Sequence, residues 1–183
     1  MLRFGDAMRR AIIPLSVTAI LLICGCMESA TVDIPDEYYF PMKKADVDSP
    51  VELIRFASSI RPYTTGFTIS EKVAFFEWYL KNRGFNVNFA YSDNFRNSGS
   101  EHTWLVLKNK LGENMAIEPS YIEMGAASIS PTTPEYKSYQ RKFADIYELS
   151  KNTGGSEQYA WWKKSSGQKL LSENILLHKK SQL

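Results

Sequence analysis

The stretch from Thr68 to Tyr91 restricts the fold more than any other part of this chain. Thr68-Ile69-Ser70-Glu71 reads as a capping box, in which the threonine hydroxyl and the glutamate carboxylate satisfy each other's free backbone amides. Ile69 is then the first helical residue. Val73, Phe76 and Leu80 recur at helical spacing, and the run is apolar most of the way round, which predicts a central helix. Gly84 stands where a left-handed cap would end it. Beyond Gly84 the period drops to 2, with Phe85, Val87, Phe89 and Tyr91 alternating against Asn86, Asn88 and Ala90. A buried helix that runs straight into a strand predicts an α+β domain, with the helix packed on a sheet.

The rest of the chain extends that plan. His102 to Lys108 reads as a second strand and Asn114 to Glu118 as a third, and their short connections predict an antiparallel meander. The polar stretch from Asp93 to Ser100 is a loop. Upstream, Ser49-Pro50-Val51-Glu52 predicts a second capping box opening a helix that runs to about Ile60, before Pro62. Downstream, Tyr136, Tyr139, Phe143, Ile146 and Tyr147 predict one helix that starts at Thr133 and Pro134 and stops at Gly154-Gly155. Trp161 and Trp162 are expected to dock on the domain, and Lys169 to His178 to form a last short helix. The resulting division is a signal segment at 1–26, an extended entry segment at 27–48, the domain proper at 49–163 and a C-terminal helix and tail at 164–183.

At the N-terminus Arg3, Arg9 and Arg10 precede Ala11 to Cys24, fourteen mostly apolar residues. That length suits a secretory signal and falls short of a bilayer span. The run closes with Leu22-Ile23-Cys24-Gly25-Cys26, which resembles a prokaryotic lipobox and makes Cys26 the candidate lipid attachment site. The alternative is an uncleaved signal anchor from Ala11 to Met27. Both put the domain outside the cell membrane, tethered to it.

Charge and cysteine usage exclude several function classes. The net charge of +2 is accounted for by the three arginines and Asp6 of the signal segment, so the remainder is balanced and offers no electrostatic footprint for nucleic acid. Lys163-Lys164 and Lys179-Lys180 read as solvated surface. Both cysteines lie in the signal segment, which leaves the domain without a disulfide framework or a zinc thiolate site. Two histidines, His102 and His178, are too few for an ordinary all-histidine metal site, and no cofactor is expected.

The order of helix, strand, His-bearing strand and carboxylate-bearing strand resembles the core of the transglutaminase-like, papain-like superfamily. Glu101-His102-Thr103-Trp104-Leu105-Val106-Leu107 is similar to that family's His-Ala-Trp strand, and Ile117-Glu118-Pro119-Ser120 to its Asp-Pro-Thr. Ser70-Glu71 with Ala74 and Glu77-Trp78 resembles archaeal members in which Cys-Ser-Glu opens the helix. The resemblance spans roughly residues 68–120 and extends more loosely over 136–162. It implies a triad in which a helix-start thiolate attacks an amide carbonyl, the histidine carries the proton and the carboxylate orients the imidazole.

Here the three corresponding positions are Ile69, His102 and Glu118. The helix start lowers a thiol's pKa, but isoleucine has no lone pair to offer. Ser70 points about 100° further round the helix and cannot simply substitute. The leading expectation is therefore a non-catalytic relative, a pseudoenzyme whose cleft binds or scaffolds a peptide or protein, with Tyr91, Trp104 and the 93–100 loop as candidate lining. Trp104 is otherwise expected in the core. The rivals are an amide hydrolase or transferase using His102 and Glu118 with a non-cysteine nucleophile such as Ser70, and a purely structural envelope lipoprotein.

Overall fold

A computed structural model describes residues 33–40, 49–108, 112, 114–123, 133–154 and 156–183. Residues 1–26, where the signal segment and the lipid site at Cys26 are expected, and most of 27–48 lie outside the described residues. Among the described residues, no helix is long and apolar enough to cross a membrane.

The Thr68 capping box forms as expected: Glu71 N donates to Thr68 Oγ1 at 3.4 Å, and Thr68 N donates to Glu71 Oε2 at 2.6 Å. Two helices precede it, α1 (Pro50–Ser58) and α2 (Arg61–Gly66), and the central helix is α3 (Ile69–Asn82). Gly84 follows with φ of 89°, the left-handed conformation that glycine adopts without strain. The second predicted box does not close, because the Ser49 side chain makes no cap hydrogen bond and Pro50 alone marks the helix start. Nor does Pro62 leave a loop behind it. It sits in the first turn of α2, where a missing N–H costs nothing.

The sheet contains β1 (Val87–Ser92), β2 (His102–Lys108), β3 (Asn114–Ile117) and β4 (Arg141–Phe143), in the order β3-β2-β1-β4 and antiparallel throughout. The predicted meander is its first three strands. The fourth strand corrects the expectation of a single helix from Thr133 to Gly154. Pro134–Tyr136 is a short 3-10 turn, Arg141–Phe143 pairs with the free edge of β1, and only Ile146–Thr153 is helical, as α5. Asp145 restarts the helical pattern by accepting a hydrogen bond from Glu148 N at 2.8 Å, as an N-cap does. Apolar spacing alone did not reveal this break, because Tyr139 and Phe143 satisfy a helical spacing although Phe143 lies in a strand.

The two faces of the sheet carry separate cores. Phe89, Tyr91, Leu105, Leu107 and Ile117 pack with Val73, Phe75, Phe76, Trp78, Tyr79 and Leu80 of α3. Ala90, Trp104, Val106 and Ala116 point the other way and are covered by Tyr136, with Phe95, Tyr121 and Tyr139 at the margin. This is strict strand alternation. Trp161 docks as expected and is fully buried, its ring within 6.1 Å of the rings of Tyr38, Phe67, Phe75, Trp78 and Trp162.

Two polar features of this core were not read from the sequence. Glu77 is buried, accepts from Tyr38 Oη at 2.9 Å and pairs with Lys81 at 2.7 Å. Burial raises its pKa, against the opposing pull of Lys81 and Tyr38. Lys164 keeps its side chain 41% exposed, as a surface charge would, and also donates to Glu71 Oε2 at 2.8 Å and to Gly66 O at 2.7 Å, tying the start of the last helix to the start of α3. That last helix, α6 (Ser165–Ser181), is longer than the expected segment and packs on the domain through Gly167, Leu171 and Asn174.

Candidate functional site

His102 is the first residue of β2, and its register partner is Ser92 at the end of β1. Glu118 follows the last residue of β3, immediately before the short helix α4 (Pro119–Glu123). Adjacent antiparallel strands thus bring the two side chains together, with His102 Nε2 lying 2.5 Å from Glu118 Oε2. Glu118 Oε1 also accepts from Ser120 N at 3.3 Å, and Oε2 accepts from Tyr136 Oη at 3.4 Å. The expected pairing of His102 with Glu118 is present.

The electrostatics follow from those contacts. Glu118 is only 2% exposed, and burial alone would raise its pKa. The hydrogen bond and charge of His102, with the amide and hydroxyl of Ser120, outweigh burial and hold the carboxyl below its ordinary range. Tyr136 moves the other way, pushed up by burial first, then by its hydrogen bond with Tyr121 and by the charge of Glu118.

Aromatic rings close over the imidazole. The Phe95 ring lies 4.3 Å from it and the Trp104 ring 5.7 Å, centroid to centroid. The loop carrying Phe95 folds back on itself: Phe95 N donates to Ser100 O at 3.0 Å, and Gly99 N donates to Asn94 Oδ1 at 2.8 Å. Arg96 and Asn97 take left-handed φ values of 54° and 57° to make this turn, an arrangement that costs energy unless other contacts hold it. For Arg96 those contacts are a 2.7 Å hydrogen bond to Tyr121 Oη, an ion pair with Glu135 at 3.4 Å and stacking over Phe95 at 5.1 Å. Arg96, Phe95 and Tyr136 went unrecognised as neighbours of the pair, since nothing in local spacing joins residues 95, 102, 118 and 136.

Ile69 does not join them. It is the first residue of α3 and 39% exposed. A short connection reverses the chain between α3 and β1, so the start of the helix and the His102 end of β2 lie at the same end of the sheet. They are nevertheless on opposite faces. Residues 89, 91, 105 and 117 face α3, whereas 102 shares the face of Trp104. Thr103, next to His102, takes the α3 side and bonds Tyr159 Oη at 2.7 Å. Ser70, the alternative nucleophile, is on α3 and so is separated from the imidazole in the same way. Among the described residues, no serine, threonine or cysteine side chain hydrogen-bonds the His102 ring.

The expected cleft lining is corrected in part. Tyr91 is buried on the α3 side with Phe143, and Trp104 is fully buried, as its core reading required. The 93–100 loop does border a cleft of about 460 Å³, whose walls include Ser92, Asn94, Phe95, Arg96, Glu135 and Ser138. Among the described residues, no group of three or more His, Cys, Asp or Glu side chains converges as metal ligands would. No protein-family model, curated protein or solved structure matches this chain.

Proposed function

We propose that this chain is a membrane-tethered, extracytoplasmic α+β domain that binds a peptide or protein and performs no covalent catalysis. The observation that carries the non-catalytic part of the reading is the placement of the His102–Glu118 pair across the sheet from Ile69 and Ser70, which also means that the triad implied by the resemblance is not assembled. A side-chain nucleophile activated by His102 as base would have to lie within hydrogen-bond reach of it. The imidazole is capped by Phe95 and turned toward Trp104 and Tyr136. The pair then serves as a clasp, holding the start of β2 to the start of α4 and seating the 93–100 loop that borders the cleft.

The test is to incubate the full chain, in detergent micelles, with peptide and glutamine-amide substrates, alongside His102→Ala and Ile69→Cys. Neither the unmodified chain nor Ile69→Cys should turn over substrate. The new thiol should alkylate with the same pH profile whether or not His102 is present, because no imidazole reaches it. Turnover lost on His102→Ala, or a thiol profile shifted by that substitution, would refute the reading.

A further inference from the structure

The outer face of α6 sets two adjacent leucines in water beside a cluster of lysines. Leu176 is 59% exposed and Leu177 57%. At 100° per residue they share the outward arc of the helix with Lys169, Glu173, Lys179 and Lys180, while Gly167, Leu171 and Asn174 face the domain. Glu173 is matched by Lys169 at 4.0 Å, and Lys179 and Lys180 make no ion pair among the described residues. Lysines in a last helical turn also offset the helix dipole, which accounts for their position. It does not account for the exposed leucines beside them.

The chain enters the domain along this same helix. Trp162 Nε1 donates to Asp33 O at 3.0 Å, and Asn174 Nδ2 donates to Phe40 O at 2.8 Å. The Phe40 ring, 37% exposed, lies 5.6 Å from the ring of His178. Asp33 also borders a cleft with Leu171 and Ile175 of α6. Six residues lie between Cys26 and Asp33, and the seven steps that join them span at most about 25 Å when fully extended. On the tethered reading proposed above, Asp33 beside the start of α6 stays within that distance of the bilayer, whether lipid or signal anchor holds the chain.

We propose that the outer face of α6 docks on an anionic lipid surface, with Leu176 and Leu177 entering the headgroup boundary and Lys179 and Lys180 meeting phosphates. This rests on the membrane-tethered reading above. Apolar residues flanked by lysines are the composition of interfacial helices. A short tether holds such a face at an effective concentration on the order of millimolar, so weak intrinsic affinity suffices.

The test reconstitutes the full chain into vesicles of phosphatidylcholine, alone or mixed with phosphatidylglycerol, and follows amide hydrogen exchange over α6. The comparison is with Leu176→Gln/Leu177→Gln, which keeps helix propensity, and with Lys179→Gln/Lys180→Gln. On mixed vesicles the last two turns of α6 should be protected in the unmodified chain and lose that protection in both double variants. On phosphatidylcholine alone the protection should be weaker and indifferent to the lysines. A chain that sediments with vesicles while α6 exchanges alike in all three forms overturns the docking and leaves the tether standing. A chain that fails to sediment overturns the tether, and the docking with it.

Discussion

Replacing Glu118 with glutamine tests the clasp directly, because the side chain keeps its volume and loses only its charge. In the folded protein that charge receives one short bond from His102 at 2.5 Å and two long ones, from Ser120 N at 3.3 Å and Tyr136 Oη at 3.4 Å. A hydrogen bond to a charged group contributes about 1.5–3 kcal/mol, and the two long contacts add little. Set against the burial cost that a neutral amide escapes, the net loss is about 2 kcal/mol at neutral pH. For a chain of this size that lowers Tm by about 4–8 °C.

The pH dependence has a definite sign. The folded-state pKa of Glu118 is depressed, so its contribution is fully present above the unfolded value of about 4.3 and is lost as pH falls through the folded value. Urea titration of the full chain in micelles, unmodified and Glu118→Gln, should show separated midpoints at neutral pH that converge in acid, with unchanged slopes. Equal midpoints at neutral pH, or a gap that persists undiminished in acid, would refute the assignment of a clasping role to this carboxylate.

Three further substitutions probe the frame around the site. Gly167→Ala places a Cβ 2.1 Å from Trp161 O and 2.7 Å from Trp162 Cα, both backbone atoms, so thermal denaturation should show a loss of about 3 kcal/mol or more, or no folded protein. Trp161→Ala empties the centre of the aromatic core and should cost about 3–5 kcal/mol in the same measurement. Thr68→Ala removes one half of the capping box and should cost about 0.5–2 kcal/mol, with circular dichroism showing α3 still formed.

Some of the fold could be read from local chemistry. The hydroxyl of Thr68 and the carboxylate of Glu71 act within one turn, so the start of α3 was legible, as was its end at Gly84. The extent of β2 and the pairing of His102 with Glu118 were also legible, because adjacent strands joined by a short turn leave few alternatives. Residues 133–154 were not. There the spacing of Tyr136, Tyr139 and Phe143 suits a helix, and only the unpaired edge of β1 and the cap at Asp145 divide the segment into a turn, a strand and α5.

From its residues alone, the chain specified where its central helix starts and stops and which segments extend. Which face of the sheet receives the imidazole depended on register: with Ser92 opposite His102, strand parity sends the ring toward Trp104 and away from α3. The nine residues between β1 and β2 do not dictate that register. A slip of one position would turn every side chain of β2 over, and burial of Leu105 and Leu107 beneath α3, with Trp104 and Val106 in the opposite core, selects between the two.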